Sequence, residues 1–193
     1  AEGPLSDAIC VEVPRGTNFD RVSKSLVDQG AVTSGPILRI GANYAEKTDQ
    51  LKAGSYLVEP RASMEQIVDV VTRGGASTCG TEVVYRVGVN RVSVQVRELD
   101  PATSKFVERA EFEQTVEDIP EIYTEVKAKP DTRFRVAVAE GVTSWQVTEA
   151  LRSMDVLEGE VGDVPAEGSL APDSYEVRPG DDRAAILARM EAA

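Results

Sequence analysis

The sequence contains no histidine. This absence excludes Ser-His and Cys-His catalysis and the ordinary metal sites that contain histidine. Only two cysteines occur, Cys10 and Cys79, which are too few for a four-cysteine zinc site and are not spaced as Cys-x-x-Cys. They are compatible with one disulfide in an oxidising compartment, or with two inert small apolar side chains. We therefore predict neither a metal site nor a cofactor.

Long apolar runs are also missing. No stretch of about 18 or more apolar residues occurs, so we predict no membrane-spanning segment. The start at Ala1 has no methionine, no basic residues and no apolar run, so it does not resemble a signal peptide. We expect an anchor or signal segment upstream of this start.

Acidic residues outnumber basic ones, which gives a net charge of -12 and a pI near 4.6. Such a chain repels polyphosphate, so nucleic acid and anionic lipid surfaces are not predicted partners. The partner should be neutral, or held by a locally basic groove. The 193 residues are 41% hydrophobic, which is sufficient for the packed core of one or two domains.

Apolar spacing in the first part of the chain predicts alternating strands and helices. Thr17 or Asn18 can cap the first helix, which Gly30 ends, and Ser63 can cap the third, which Gly74-Gly75 ends. The predicted strands cover residues 10–13 and 54–58, and the predicted helices run through Phe19, Val22 and Leu26, through Ile37, Leu38, Ile40 and Ala42, and through Met64, Ile67, Val68 and Val71.

The middle of the chain changes from helical spacing to alternation of apolar and polar residues. Two alternating runs, at residues 83–87 and 92–96, flank Gly88-Val89-Asn90, which indicates two half-buried strands joined by a hairpin turn. A third strand is predicted at 105–107 and a fourth at 112–116. We interpret residues 76–131 as a small antiparallel β insertion.

After Pro130 the first pattern returns. A shift of 125 residues places Gly16 on Gly141 and Leu26 on Leu151, and a shift of 119 places Tyr56 on Tyr175. The sequence thus predicts an α+β fold in which two related strand-helix-strand-helix units are separated by the insertion. The predicted domains are residues 1–75, 76–131 and 132–193.

The repeat separates scaffold from candidate functional residues. Ser174, Tyr175, Val177 and Pro179 of the second copy have counterparts in the first, so a structural role explains them. Four second-copy residues have a different residue type at the corresponding position of the first copy and are the functional candidates. They are Glu167, Gly168, Pro172 and Asp173, which correspond to Thr48, Asp49, Ala53 and Gly54 in the overlay.

Trp145 falls within one position of Phe19 in the overlay. Packing in the core is therefore the favoured interpretation of Trp145, and a platform for stacking sugars is the alternative. The acids between Glu108 and Glu125 lack the ligand spacing and the glycine of a calcium loop, so we interpret them as a solvated face.

Three segments of the chain resemble the YceG-like family of endolytic murein transglycosylases. They are Val13-Pro14-Arg15-Gly16-Thr17, Gly54-Ser55-Tyr56 with Pro60, and above all Glu167-Gly168 followed by Pro172-Asp173-Ser174-Tyr175. The resemblance implies a LysM-like first unit and a soluble part on the periplasmic face of the bacterial inner membrane, held by one N-terminal anchor. Ser169-Leu170-Ala171 departs from the bulky residues usual after Glu-Gly in the family. The family also continues beyond the position of Ala193, with a Glu-rich helix.

By position in the motif, the resemblance assigns the catalytic role to Glu167, and we add Ser169 and Asp173 as substrate-binding candidates. The implied reaction cleaves the β-1,4 bond between N-acetylmuramic acid and N-acetylglucosamine within nascent glycan strands, leaves a 1,6-anhydro end and limits glycan length. A buried or half-buried glutamate would retain the required proton. Peptidoglycan glycan strands are the expected partner, with peptidoglycan synthases as further partners.

Two other interpretations remain open. The chain can be a peptidoglycan-binding or scaffolding module without catalysis. Asp173 can also be a turn residue that accepts backbone hydrogen bonds instead of contacting substrate.

Overall fold

Helices and strands alternate along the chain and give the α+β architecture that the sequence predicts. The computed structural model describes residues 2–72, 78–115 and 118–193. The elements are β1 (Ile9–Val13), α1 (Phe19–Asp28), α2 (Gly35–Tyr44), β2 (Gly54–Val58), α3 (Met64–Thr72), β3 (Thr81–Val87), β4 (Val92–Asp100), β5 (Lys105–Glu113), α4 (Glu121–Ala128), β6 (Arg133–Val138), α5 (Ser144–Ser153), β7 (Ser174–Val177) and α6 (Arg183–Glu191).

The first unit consists of the residues up to Gly80 together with residues 98–107 and 129–131. Strands β1 and β2 pair antiparallel, and helices α1, α2 and α3 bury their apolar faces in one core. The Asn18 side chain caps α1, and Gly30 follows that helix with a φ of 72°, a conformation that favours glycine. Ser63 and Gln66 form a reciprocal cap on α3.

Cys10 and Cys79 form a disulfide with a Cα–Cα distance of 5.8 Å. This finding decides between the two alternatives that the sequence leaves open for the cysteines. The bond joins β1 to the segment just before β3, across 69 residues of sequence. Both cysteines belong to the first unit.

The second unit consists of residues 81–97, 108–128 and 132–193. Its sheet has the strand order β5-β4-β3-β6-β7, with β3 parallel to β6 and β6 antiparallel to β7. One face of the sheet packs against helices in a core that includes Tyr85, Phe134 and Leu151. The centre strand β3 buries the consecutive residues 83–85, so it is buried on both faces there and not half-buried as predicted.

The predicted repeat is confirmed by strand register. Val11 pairs with Tyr56 in the first copy, and Val136 pairs with Tyr175 in the second. These are the partners that the shifts of 125 and 119 assign. The helix N-caps agree with the same shift of 125 residues, because Thr143 caps α5 and Asn18 caps α1.

The segment between the copies differs from its prediction. Residues 105–107 and 112–113 belong to one strand, β5, where two strands were expected. Helix α4 was not predicted, because its acidic residues outweigh the apolar signal of Tyr123 and Val126. The structure distributes the predicted insertion over both units. The predictions for Gly74-Gly75 and for Val116 fall outside the described residues.

Helix α4 is held to the sheet by a cluster of polar side chains. The Tyr85 and Tyr123 hydroxyls lie 2.7 Å apart, and Tyr123 donates to Asp155 at 2.7 Å. Lys127 pairs with the same carboxylate and lies over the Tyr123 ring. Burial acts to raise the pKa of Asp155, but the hydrogen bonds from Lys127 and Tyr123 outweigh burial and lower the pKa.

We expect that replacing both cysteines, Cys10→Ser with Cys79→Ser, lowers the free energy of unfolding by about 2–4 kcal/mol, because the unfolded chain gains the freedom that the cross-link removes. Urea denaturation of both proteins measures the difference. Treatment of the parent with reductant should reproduce it, and an unchanged urea midpoint would contradict a stabilising bond.

Replacing Asp155 by Asn should lower stability at neutral pH by about 1 kcal/mol, an amount that allows for solvent screening of this partly exposed group. Because the folded-state pKa is lowered, the carboxylate stabilises the fold above the ordinary carboxyl pKa of about 4, and this contribution is lost as the pH falls through the lowered value. Denaturation at several pH values should show the difference between parent and variant disappearing in acid. Asp163→Asn, at an exposed position, is the control and should change little.

Candidate functional site

The predicted site residues lie near the carboxyl end of β6. Five residues separate the end of this strand at Val138 from the start of helix α5 at Ser144. Thr143 and Gln146 form a reciprocal cap on the first turn of the helix. Gly141 in the connecting turn has a φ of 80°, which favours glycine. The loop between α5 and β7 returns to this helix end and carries Glu167.

Ser144 fixes that loop at two points. Its backbone N–H donates to Glu167 Oε2 at 3.0 Å, and its hydroxyl donates to the Ala166 carbonyl at 2.9 Å. The side chain of Ser144 is buried. Since the first N–H groups of a helix have no partner within the helix, the Glu167 side chain completes the cap of α5. Ser144 was not predicted from the sequence; the signal that could have found it is Thr143, directly before it, a residue type that often caps helices.

Glu167 itself is exposed, so the expectation of a buried or half-buried carboxyl group is wrong. The physical reason is local. Residues 166–169 form a turn closed by the bond from Ser169 N to the Ala166 carbonyl, and Gly168 takes a φ of 79° at its third position. A turn of this kind lies on the surface and leaves Glu167 in contact with water, with one oxygen anchored.

Ser169 and Asp173 differ in what they offer a ligand. The Ser169 hydroxyl is shielded from solvent and makes no hydrogen bond within the described residues. Asp173 is exposed and its Oδ1 accepts from Ser174 N at 2.7 Å, which fits the turn role that the sequence left open. The Asp173 carbonyl accepts from Val138 N at 2.9 Å. Asp173 therefore lies at the carboxyl end of β6, the same end of the sheet from which the chain leads into α5.

Trp145 is 59% exposed, so the favoured prediction of a core side chain is wrong. The caps show why. Because Thr143 matches Asn18, Ser144 takes the place of Phe19, and Trp145 takes the place of the exposed Asp20. Thr148 and Ser23 confirm this register, since each hydroxyl donates to the carbonyl four residues earlier, to Ser144 and to Phe19.

The two copies share their scaffold but not the segment that bears Glu167. Tyr56 donates to the Lys52 carbonyl and Tyr175 to the Ala171 carbonyl, each at 2.8 Å, as expected for scaffold residues. Between its first helix and second strand, the first copy has the helix α2. The second copy has an irregular loop there, with Glu167 on it.

A groove of about 520 Å³ lies over the ends of β3 and β6, on the second unit. Arg86 and Arg91 line it, and each is hydrogen-bonded to a neighbour, Gln95 and Glu111 respectively. Glu167 is not among its lining residues. Within residues 2–72, 78–115 and 118–193, no group of three Cys, Asp or Glu side chains is arranged to hold a metal ion.

The fold and the site together define a class: an α+β protein with an internal repeat and, on the loop that distinguishes the second copy, the Glu167 carboxyl group that caps α5. The chain belongs to the YceG-like family, whose model matches residues 11–115, more than half of the chain. The matched segment does not include Glu167, Ser169 or Asp173.

Among solved structures, the chain is similar to a YceG-like protein from Listeria monocytogenes, with 17% sequence identity and a TM-score of 0.35. The similarity covers 96% of this chain and 54% of the Listeria chain, so the present chain spans about half of that protein's length. A comparison with curated proteins found no significant match. No helix in the described part of the chain is both long and apolar enough to cross a membrane.

The anchoring bond gives a prediction about stability. Glu167→Ala removes the acceptor for Ser144 N and should lower the free energy of unfolding by about 0.5–2 kcal/mol. Glu167→Gln retains a side-chain oxygen for the same N–H and should lose less. Urea denaturation of the two variants and the parent measures this order. Equal losses in both variants would contradict a capping role that depends on the acceptor oxygen.

Proposed function

We propose that this protein is a lytic transglycosylase that cleaves the β-1,4 bond between N-acetylmuramic acid and N-acetylglucosamine in peptidoglycan strands. Membership of the YceG-like family supports this function. The observation that carries the assignment to Glu167 is its anchored position on the loop that replaces α2 in the second copy. The shared scaffold does not require an acid there, because Thr48 takes the corresponding place in the first copy.

The anchoring bond leaves Glu167 suited to donate a proton. Oε2 accepts from Ser144 N, and among the described residues no hydrogen bond is made to Oε1. In the protonated acid, the carbonyl oxygen can keep the bond to Ser144 while the other oxygen carries the proton toward a glycosidic oxygen.

The reaction proceeds without water as a nucleophile. Glu167 gives its proton to the glycosidic oxygen, and the bond from that oxygen to C1 of N-acetylmuramic acid breaks. The 6-hydroxyl oxygen of the same sugar then bonds to C1, and its proton passes to the Glu167 carboxylate. The glutamate is thereby restored, and the products are a 1,6-anhydro end and a free 4-hydroxyl group. An intramolecular nucleophile has a high effective concentration, so one carboxyl group suffices.

Ser169 and Asp173 are proposed as substrate contacts beside Glu167. Asp173 is exposed at the same sheet edge and can accept a sugar hydroxyl with its second carboxylate oxygen. Ser169 requires a small rearrangement of the turn before its shielded hydroxyl can contact a ligand.

A location on the periplasmic face of the bacterial inner membrane fits this reaction, since nascent peptidoglycan is assembled there. The Cys10–Cys79 disulfide supports an oxidising compartment. We propose that glycan strands are the substrate, that the enzyme limits their length, and that peptidoglycan synthases are partners. The first unit is proposed to be LysM-like.

A second candidate function is a peptidoglycan-binding or scaffolding module without catalysis. The exposure of Glu167 favours this alternative, because general acids are commonly shielded from water. So does the extent of the family match, which covers residues 11–115 and does not reach the glutamate.

The decisive experiment compares the full-length protein with its Glu167→Gln variant on uncrosslinked peptidoglycan strands. Mass spectrometry should detect 1,6-anhydro ends with the parent and a decrease of at least about a hundredfold with the variant, which retains an acceptor for Ser144 but no transferable proton. Thr48→Gln, at the corresponding place in the first copy, is the matched control and should leave product formation unchanged.

Two outcomes would count against catalysis by Glu167. If the variant forms as much anhydro product as the parent, the proton comes from another group. If the parent binds glycan strands in a pull-down but forms no anhydro ends, the binding module is the better assignment.

A further inference from the structure

The single tryptophan of the chain is placed where the scaffold does not need it. Trp145 lies in the first turn of α5 and is 59% exposed. Its counterpart in the first copy is Asp20, an exposed residue paired with Arg39. The same position in the same repeat therefore tolerates a charged side chain, so packing does not explain an indole there.

Trp145 also directly follows, in the sequence, the residue that binds the Glu167 carboxyl group. Glu167 Oε2 bonds to the backbone N–H of Ser144, the residue directly before Trp145. Adjacent Cα atoms are about 3.8 Å apart, and side chains in a helix lean toward its N-terminus. The indole is thus carried by the turn that holds the carboxyl group and leans toward the end of α5 that this group caps.

The first turn of α5 gives the indole a fixed base. Gln146 accepts from Thr143 N at 2.8 Å through Oε1 and donates through Nε2 to the Val89 carbonyl at 2.8 Å, so it ties this turn to the β3–β4 hairpin. Ser144 holds the other side of the turn through its bonds to residues 166 and 167. An aromatic ring on a backbone fixed from both sides can bind a ligand with little loss of conformational entropy.

We propose that Trp145 is the stacking platform for a sugar ring next to the bond presented to Glu167. The equatorial links of a β-1,4 glycan leave the C–H groups of each ring on flat faces, and these slightly positive hydrogens pack on the negative face of an indole. The inference rests on the proposed function and names the residue that positions its substrate.

Because Trp145 is the only tryptophan among the 193 residues, the fluorescence of this chain, excited at a wavelength that tyrosine does not absorb, reports on this residue alone. The experiment titrates the Glu167→Gln variant of this 193-residue chain, which should not turn over substrate, with chitotetraose, a β-1,4 tetramer of N-acetylglucosamine. We expect a saturable change in emission, and isothermal calorimetry should give the same affinity. Maltotetraose, whose α-links bend the chain, should bind at least about tenfold more weakly.

Variants test the residue directly. Trp145→Ala should weaken chitotetraose binding about tenfold by calorimetry, and Trp145→Phe, which keeps an aromatic face, should weaken it less. Tyr44→Ala, which removes another exposed aromatic side chain, should bind normally. Urea denaturation should show that Trp145→Ala is as stable as the parent, because Asp20 occupies this position in the first copy.

Three results would overturn the inference: no binding of chitotetraose, binding without a change in emission, or binding that Trp145→Ala does not weaken. Failure of the catalytic proposal is recognised separately. If Glu167→Gln still forms 1,6-anhydro ends, Glu167 is not the acid, yet the fluorescence and calorimetry results for Trp145 remain valid.

Discussion

A buried tyrosine sets the geometry of each repeat. Tyr56 and Tyr175 each donate to the backbone carbonyl four residues earlier, which bends the chain into the second strand of the copy. Burial raises the pKa of both hydroxyls, so each remains a donor over the physiological range. Opposite each tyrosine stands a fully buried valine, Val11 or Val136, and this pairing fixes the antiparallel register.

The same interaction determines how freely the preceding segment can vary. Once α5 and the Tyr175 bond hold the two ends, the residues between them need only connect two fixed points. A backbone bond supports each end in both copies: Lys52 N donates to the Val71 carbonyl, and Ala171 N donates to the Met190 carbonyl. The first copy fills the interval with α2, whereas the second uses a loop tied to Ser144. Such a loop on a rigid frame is suited to carry a functional group.

The sequence predicted much of this frame because its signals are local and repeated. Helix caps at Asn18 and Ser63 and the strand pattern around Tyr56 and Tyr175 each depend on a few neighbouring residues. Strand β5 was predicted as two pieces because its residues are mostly exposed and leave only a weak alternating pattern. Helix α4 was missed because its burial depends on distant partners, such as Tyr85 against Tyr123. The pairing of Cys10 with Cys79 likewise depends on a distance that only the folded chain defines.

The errors at the candidate site have a different cause. An overlay displaced by one residue assigned Trp145 to the core, and the caps Asn18 and Thr143 correct it. Glu167 was expected to be buried because general acids often are, yet the turn at Gly168 holds it at the surface.

Three departures from ordinary packing therefore meet around one helix end: an exposed indole at Trp145, a shielded Ser169 hydroxyl without a partner in the described residues, and a carboxyl group at Glu167 that uses one oxygen. Natural sequences violate local rules mainly where function requires it. A sugar bound at the proposed site would stack on the indole and hydrogen-bond to the serine, and its hydroxyls could take the place of water at the free oxygen of Glu167. The proposed glycan site therefore accounts for the three features together.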